Sequence, residues 1–226
     1  MTAFFLYYKR KIGWCIALLC LVFSLFSMQQ AYTYTQVDTA VLGERFYFLV
    51  SNSAHVQAST QTVVLNGGAG YLLNNTQVAY SVYFSQDEVM RASAQVQELD
   101  EGVEQVSLLA DHLYFRTSSQ KRDKEQILSA FENLRGCMQV LQEEIARLDH
   151  GATQESSKRI LKTLQKQFAY LKKIYAGKFP AFANVCNLAN EQLDQIVAGI
   201  VYNRDLRYLL CDLTVSYVDL SQNFSL

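Results

Sequence analysis

Three histidines and five cysteines are the residues of this chain best suited to acid–base, metal or redox chemistry, and their spacing keeps them apart. His55, His112 and His150 stand in separate segments, and none lies four residues from another ligand type. Exposed or locally hydrogen-bonded imidazoles are therefore expected, not metal ligands. Cys15 and Cys20 fall inside an apolar run and read as apolar residues. Cys137, Cys186 and Cys211 are odd in number, which is not a disulfide framework. They leave one pair with a spare thiol, or three free buried thiols, and the second is preferred. Gly67-Gly68-Ala69-Gly70 lacks the Lys-Ser/Thr of a phosphate loop and stands before a strand, so a turn is expected there. Glu143-Glu144 and Asp100-Glu101 are adjacent carboxylates, which point to different faces of a helix and read as solvated surface. No nucleophile–base or metal motif remains. The chain is expected to be no enzyme and to need no cofactor or metal.

The elements that position everything else begin with Ile12 to Met28, which carries no charge and follows Lys9, Arg10 and Lys11. Its 17 residues suit a short membrane-spanning helix or a long signal-peptide core. The basic flank predicts a cytoplasmic N-terminus, residues 1–11, with everything after the run exported. A cut after Ala31 would put Gln29 at a position that wants a small residue, and Leu19 before Cys20 is too large for lipidation. The reading is an uncleaved single-pass signal-anchor over 12–28 in the cell membrane, with cleavage as the alternative. The net charge of −1 and pI near 6.3 offer no general attraction to nucleic acid. Residues 29–44, polar with scattered Tyr, Thr and Val, read as a tether.

Arg45 to Ser51 is aromatic and β-branched and predicts a strand, with Phe46, Phe48 and Val50 on one face and Tyr47, Leu49 and Ser51 on the other. A weak helix follows over Val56 to Leu65, ended by Asn66-Gly67-Gly68. Strands are expected at Ala69 to Leu73 and Gln77 to Phe84. A helix opens at Gln86 with Ser85 as N-cap and Asp87 and Glu88 in its first turn. Val103 to Leu109 makes a fourth strand. The order β-α-β-β-α-β predicts an α+β unit with helices on one sheet face and the other face open.

Phe48, Val50 and Ser51, then Val78, Tyr80, Ser81 and Tyr83, with Val89 on the second helix and Gly67-Gly68 after the first, stand where two half-repeats of a known family carry their pattern. On these residues the stretch 45–109 resembles the SPOR (sporulation-related repeat) domain, and the string FYFLVSNSAHVQAS is similar to membrane-anchored SPOR-type proteins of spore-forming Gram-positive bacteria. Ser51 and Ser81 replace family glycines, and Leu49 a family glutamine. The resemblance implies binding to peptidoglycan glycan strands stripped of their stem peptides, in sporulation or cell division. Glycan binding combines aromatic platforms with amide and hydroxyl donors. By strand parity Tyr47, Gln77, Ser81 and Tyr83 share the open face, with Ser51 and Asn52 at the strand's end. These six are the candidate glycan-binding residues.

The remainder, 110–226, is helical. Ile127, Phe131, Leu134, Met138, Leu141, Ile145 and Leu148 alternate four and three apart, the seam of a coiled coil or helical hairpin. His150-Gly151 ends it. A second helix, Ser156 to Tyr175, carries Leu161, Leu164, Phe168 and Leu171 on one face and Lys158, Arg159, Lys162, Lys166, Lys172 and Lys173 on another. That basic face is read as solvated, or paired with Glu132, Glu143, Glu144 and Asp149. A third helix from Ala181 or Leu188 to Leu220 closes a three-helix bundle. Two functions follow from these parts. One is an envelope protein that holds glycan. The other is a structural adaptor that meets a protein partner, or a second copy, through the bundle.

Overall fold

The computed structural model describes residues 37–52, 56–74, 76–100, 102–116 and 121–222. The expected anchor at 12–28 and the basic N-terminus lie outside these. Among the described residues no helix is long and apolar enough to cross a membrane.

The protein is α+β, with a four-stranded sheet and a helical C-terminal region. The strands are β1 (Val37–Asn52), β2 (Tyr71–Leu73), β3 (Gln77–Tyr83) and β4 (Val103–Arg116). Helix α1 (Val56–Leu65) joins β1 to β2, and α2 (Gln86–Val96) joins β3 to β4. The order β-α-β-β-α-β is thus as expected. The sheet runs β2-β3-β1-β4 with every pair antiparallel, so each helical connection skips a strand. Two split β-α-β units are thereby interleaved. Ser85 caps α2, its hydroxyl accepting from the Glu88 amide.

The glycine turn also behaves as expected. Gly67 and Gly70 have φ of +79° and +67°. Gly68 fills a different need: a Cβ there would stand 2.5 Å from Val63 Cγ1 and 3.0 Å from the Tyr80 backbone. Only glycine lets α1 end this close to β3.

Two boundaries differ from the sequence reading. Residues 37–44, expected to be tether, belong to β1, and β4 continues past Leu109 to Arg116. Val37 to Val41 pair with Arg116 to His112, and a bulge at Leu42-Gly43, with Gly43 at φ +65°, resets the register. Thr39 stands opposite Tyr114 and Ala40 opposite Leu113, and cross-strand pairs of this kind favour strand over coil there.

The helical region has four helices, not three: α3 (Lys121–Asp149), α4 (Gln154–Tyr175), α5 (Pro180–Ala198) and α6 (Asn203–Gln222). The expected third helix breaks at Gly199 to Tyr202. Gln154 replaces the hydrogen bonds lost there, its amide accepting from Val201 N–H and donating to Val201 O, each at 2.9 Å. The seam on α3 is buried as expected from Ile127 to Ile145. Gly151 takes φ +86° and the Ala152 amide bonds back to the Arg147 carbonyl, a glycine-ended helix.

The largest correction concerns the sheet. Both of its faces carry helices. Leu49, Val78 and Tyr80 form a core with Val63 of α1 and Val89 of α2. Phe46, Phe48, Val50, Ala79 and Val82 on the other face share one unbroken core with α3, α4, α5 and α6. The face expected to carry α1 and α2 carries the bundle. The face expected to be open carries α1 and α2 around β3, while Arg45, Gln105, Ser107 and Leu109 of the β1–β4 pair stay exposed on it. The Tyr217 ring of α6 meets Phe46 edge-on at 5.5 Å and Phe131 of α3 at 5.0 Å. Arg135 of α3 lies 3.9 Å over the Phe84 ring and bonds Glu44 of β1 at 3.1 Å. A sheet apolar on both faces must bury both, and the C-terminal helices do the second job.

Candidate functional site

The six sequence-derived residues do not converge. Tyr47 stands opposite Tyr83, Leu49 opposite Ser81, and Asn52 opposite Gln77. The two ends of this set are therefore five strand positions apart, about 17 Å. Ser51 is buried and hydrogen-bonds the Asp100 carboxylate, which Tyr80 Oη also donates to, at 2.9 Å. Asn52 is exposed and its amide donates to Glu104 at 3.2 Å. Tyr47 and Tyr83 pack against the core beneath α1 and α2. Their parity relative to Phe48 is as expected; the part of the expected open face that they occupy is helix-covered.

Ser81 and Tyr83 do contribute to a cleft. Its volume is about 360 Å³, and it lies where α2, α3 and α6 meet the end of β3. Glu88, Arg91 and Gln95 come from α2, Gln142 and Asp149 from α3, and Arg207 from α6. The amphipathic pattern of each helix explains their presence, since each stands at the polar border of a buried stripe.

Most of these groups are already engaged. Gln142 Nε2 donates to Glu88 Oε2 at 3.0 Å, and the same oxygen accepts from the Phe84 amide at 3.3 Å. Arg207 Nη2 donates to Asp149 Oδ2 at 2.7 Å, and its Nη1 to the Gly67 carbonyl. That guanidinium ties α6 to α3 and to the glycine turn. Burial pushes the Tyr83 phenol above its usual range, with Arg207 pulling the other way. Arg91 spends its Nε on the Asp87 carbonyl. The side of the cleft offered to a ligand is thus formed by Arg91, Gln95 and the Tyr83 ring. Amide, guanidinium and ring edges of this kind fit a polar, hydroxyl-rich ligand.

A second concavity of about 730 Å³ runs between α3 and α4. Gly136, Cys137 and Val140 form one wall and Tyr170, Leu171 and Ile174 the other. A Cβ on Gly136 would meet nothing within 4 Å, so the groove is open at that point. Tyr170 is 64% exposed and Ile174 45%. Such paired exposed apolar groups on a groove rim suit a protein partner.

The remaining candidates resolve simply. Cys137, Cys186 and Cys211 are free and buried. Burial pushes the Cys137 thiol up to about 11, and burial with the neighbouring Cys137 pushes Cys186 up to about 12, so neither is a reactive thiolate at neutral pH. His112 Nδ1 lies 2.8 Å from Asp111, and His150 Nδ1 lies 2.6 Å from the Ala146 carbonyl. His55 lies outside the described residues. Among those residues no group of three His, Cys, Asp or Glu side chains could hold a metal ion.

Three of the four α3 carboxylates expected to pair with the basic face of α4 have other partners. Glu144, 1% exposed, is held by Arg147 at 2.6 Å, Asp149 by Arg207, and Glu143 accepts from Gln139. These groups turn towards their own helix or towards α6, because the α3–α4 contact is apolar.

Sequence reasoning had no signal for Arg91, Gln142 or Arg207, which belong to three elements far apart in the chain. Comparison with protein-family models, with curated proteins and with solved structures finds no match to this chain.

Proposed function

We propose that this chain is a non-enzymatic, membrane-anchored envelope protein that acts as a structural adaptor. In this reading residues 12–28 anchor it and the body is exported. A SPOR-like unit has merged with a helical bundle, and the bundle provides the working surface. One observation carries the reading: the face of Phe46, Phe48 and Val50 is filled by the chain's own bundle, and α1 and α2 cover Leu49, Val78 and Tyr80 on the other. A glycan strand laid on the sheet would have to displace Phe46, Phe48 and Val50 from their core. The surface left to a partner is the α3–α4 groove with Tyr170 and Ile174 on its rim.

A second reading is favoured by the polar cleft. There a glycan of denuded peptidoglycan, met in sporulation or cell division, is held end-on by Arg91, Gln95 and Tyr83 instead of along an open sheet.

A pull-down with purified sacculi, before and after amidase removal of stem peptides, separates the two. The adaptor reading expects equal and weak retention in both cases. Retention that rises after amidase treatment, and that Arg91→Ala and Gln95→Ala abolish without lowering the melting temperature, would replace it with the cleft reading.

A further inference from the structure

The antiparallel register fixes which end of the body faces the N-terminal segment. Val37 lies beside Arg116, so the chain enters the body where β4 hands over to α3. The first turns of α3 bring Lys121, Arg122 and Lys124 to that end, with Lys124 Nζ 5.8 Å from the Phe115 ring. The last turn of α4 and the loop after it bring Lys172, Lys173 and Lys178 to the same end, because Lys178 Nζ donates to Gln126 of α3. Lys172 bonds Asn187. The partners named for Lys172 and Lys178 are neutral amides, which cancel no charge. The carboxylates of these same turns are Asp123, Glu125 and, at the end of α6, Asp219. Glu125 is 3.8 Å from Lys121, and both are exposed. Asp38 and Arg116 at the adjoining strand ends add one charge of each sign, so cations remain in excess at this end, in a chain whose net charge is −1. The charge is segregated, not spread.

Only residues 29–36 separate the apolar run from Val37. Eight residues span at most about 29 Å when fully extended. The basic end is therefore held within reach of the bilayer surface, where anionic headgroups attract juxtamembrane Lys and Arg and salt screens them.

We infer that this end of the body docks on the membrane and binds the phosphate headgroups of anionic phospholipids. The inference rests on reading residues 12–28 as a membrane anchor. Lys172, Lys173 and Lys178 form the contact from one side and Lys121 and Arg122 from the other. Docking fixes the orientation of the body, with the glycine turn and the cleft directed away from the bilayer.

The test uses the full chain reconstituted into vesicles of phosphatidylcholine alone, or of phosphatidylcholine mixed with phosphatidylglycerol. A membrane-impermeant amine acylating reagent is added and lysine modification is read by peptide mass spectrometry. Lys172, Lys173 and Lys178 should react several-fold more slowly in the anionic vesicles, and high salt should erase the difference. Lys158 and Lys162, about 15–22 Å along α4 from Lys173, should react equally in both. Combining Lys172→Gln, Lys173→Gln and Lys178→Gln should return Lys121 to the reactivity seen in neutral vesicles. Equal labelling of the basic end in both vesicles overturns the inference while leaving the anchor intact. Failure of the chain to float with either vesicle overturns the anchor reading itself. Protection in neutral vesicles by soluble polyglycerol phosphate, to the extent seen with phosphatidylglycerol, would assign the surface to a polyanion other than the membrane.

Discussion

A chain carrying Phe46→Ala should be less stable by about 3–5 kcal/mol, with the sheet and the helices lost in a single transition. Phe46 is fully buried at the junction of the two halves of the molecule. Its ring meets Phe84 at 5.7 Å and Tyr217 at 5.5 Å, each edge to face. Such pairs contribute about 0.5–1.5 kcal/mol beyond the buried area. Removing the ring also uncovers Arg135, whose guanidinium lies 5.8 Å from it and whose Nη1 is already buried without a partner. Urea unfolding followed by circular dichroism measures the loss. Leu65→Ala, at a side chain 85% exposed, serves as control and should stay within about 0.5 kcal/mol of the parent.

The second large effect concerns the isolated fragment 45–109, the stretch that the SPOR resemblance covers. It should not fold. Cutting there removes Val37–Glu44 from β1 and Ala110–Arg116 from β4, which pair with each other in the intact sheet. It also strips α3 and α6 from Phe46, Phe48, Val50 and Val82. Exposing each large side chain forfeits about 1.5–3 kcal/mol. Several of these together match the roughly 5–15 kcal/mol that keeps a whole domain folded. The fragment should show no cooperative thermal transition and no dispersed amide spectrum. A folded fragment with a sharp transition would mean that the sheet has an independent core.

Much of this architecture is legible in the residues. The four-three spacing from Ile127 to Ile145 marks a helix whose apolar seam is buried, and Ser85 with Asp87 and Glu88 marks where α2 begins. The alternation from Phe46 to Val50 gives the two faces of β1 correctly. What the alternation cannot give is the identity of what covers each face. Both are apolar, and the covering helix α6 lies more than 150 positions along the chain. Local pattern carries no such long-range information. The break between α5 and α6 is hidden because Leu193, Ile196, Ile200 and Leu206 continue a helical stripe across it. Gly199 is the one visible sign, and Ile200 is exposed as a consequence. The candidate site is legible only in part for the same reason. Ser81 and Tyr83 are recognisable on β3, but their neighbours arrive from α2, α3 and α6 through packing.

Hydrogen exchange on the intact chain tests the central claim, that the bundle is the permanent cover of the sheet. Amides of β1 from Phe46 to Val50 and of α6 from Leu206 to Tyr217 should open with free energies within about 1 kcal/mol of each other, as parts of one cooperative unit. The contradicting result is exchange of α6 through an opening several kcal/mol cheaper while β1 stays protected. The bundle would then lift off as a separate unit and leave the sheet face free to take a ligand.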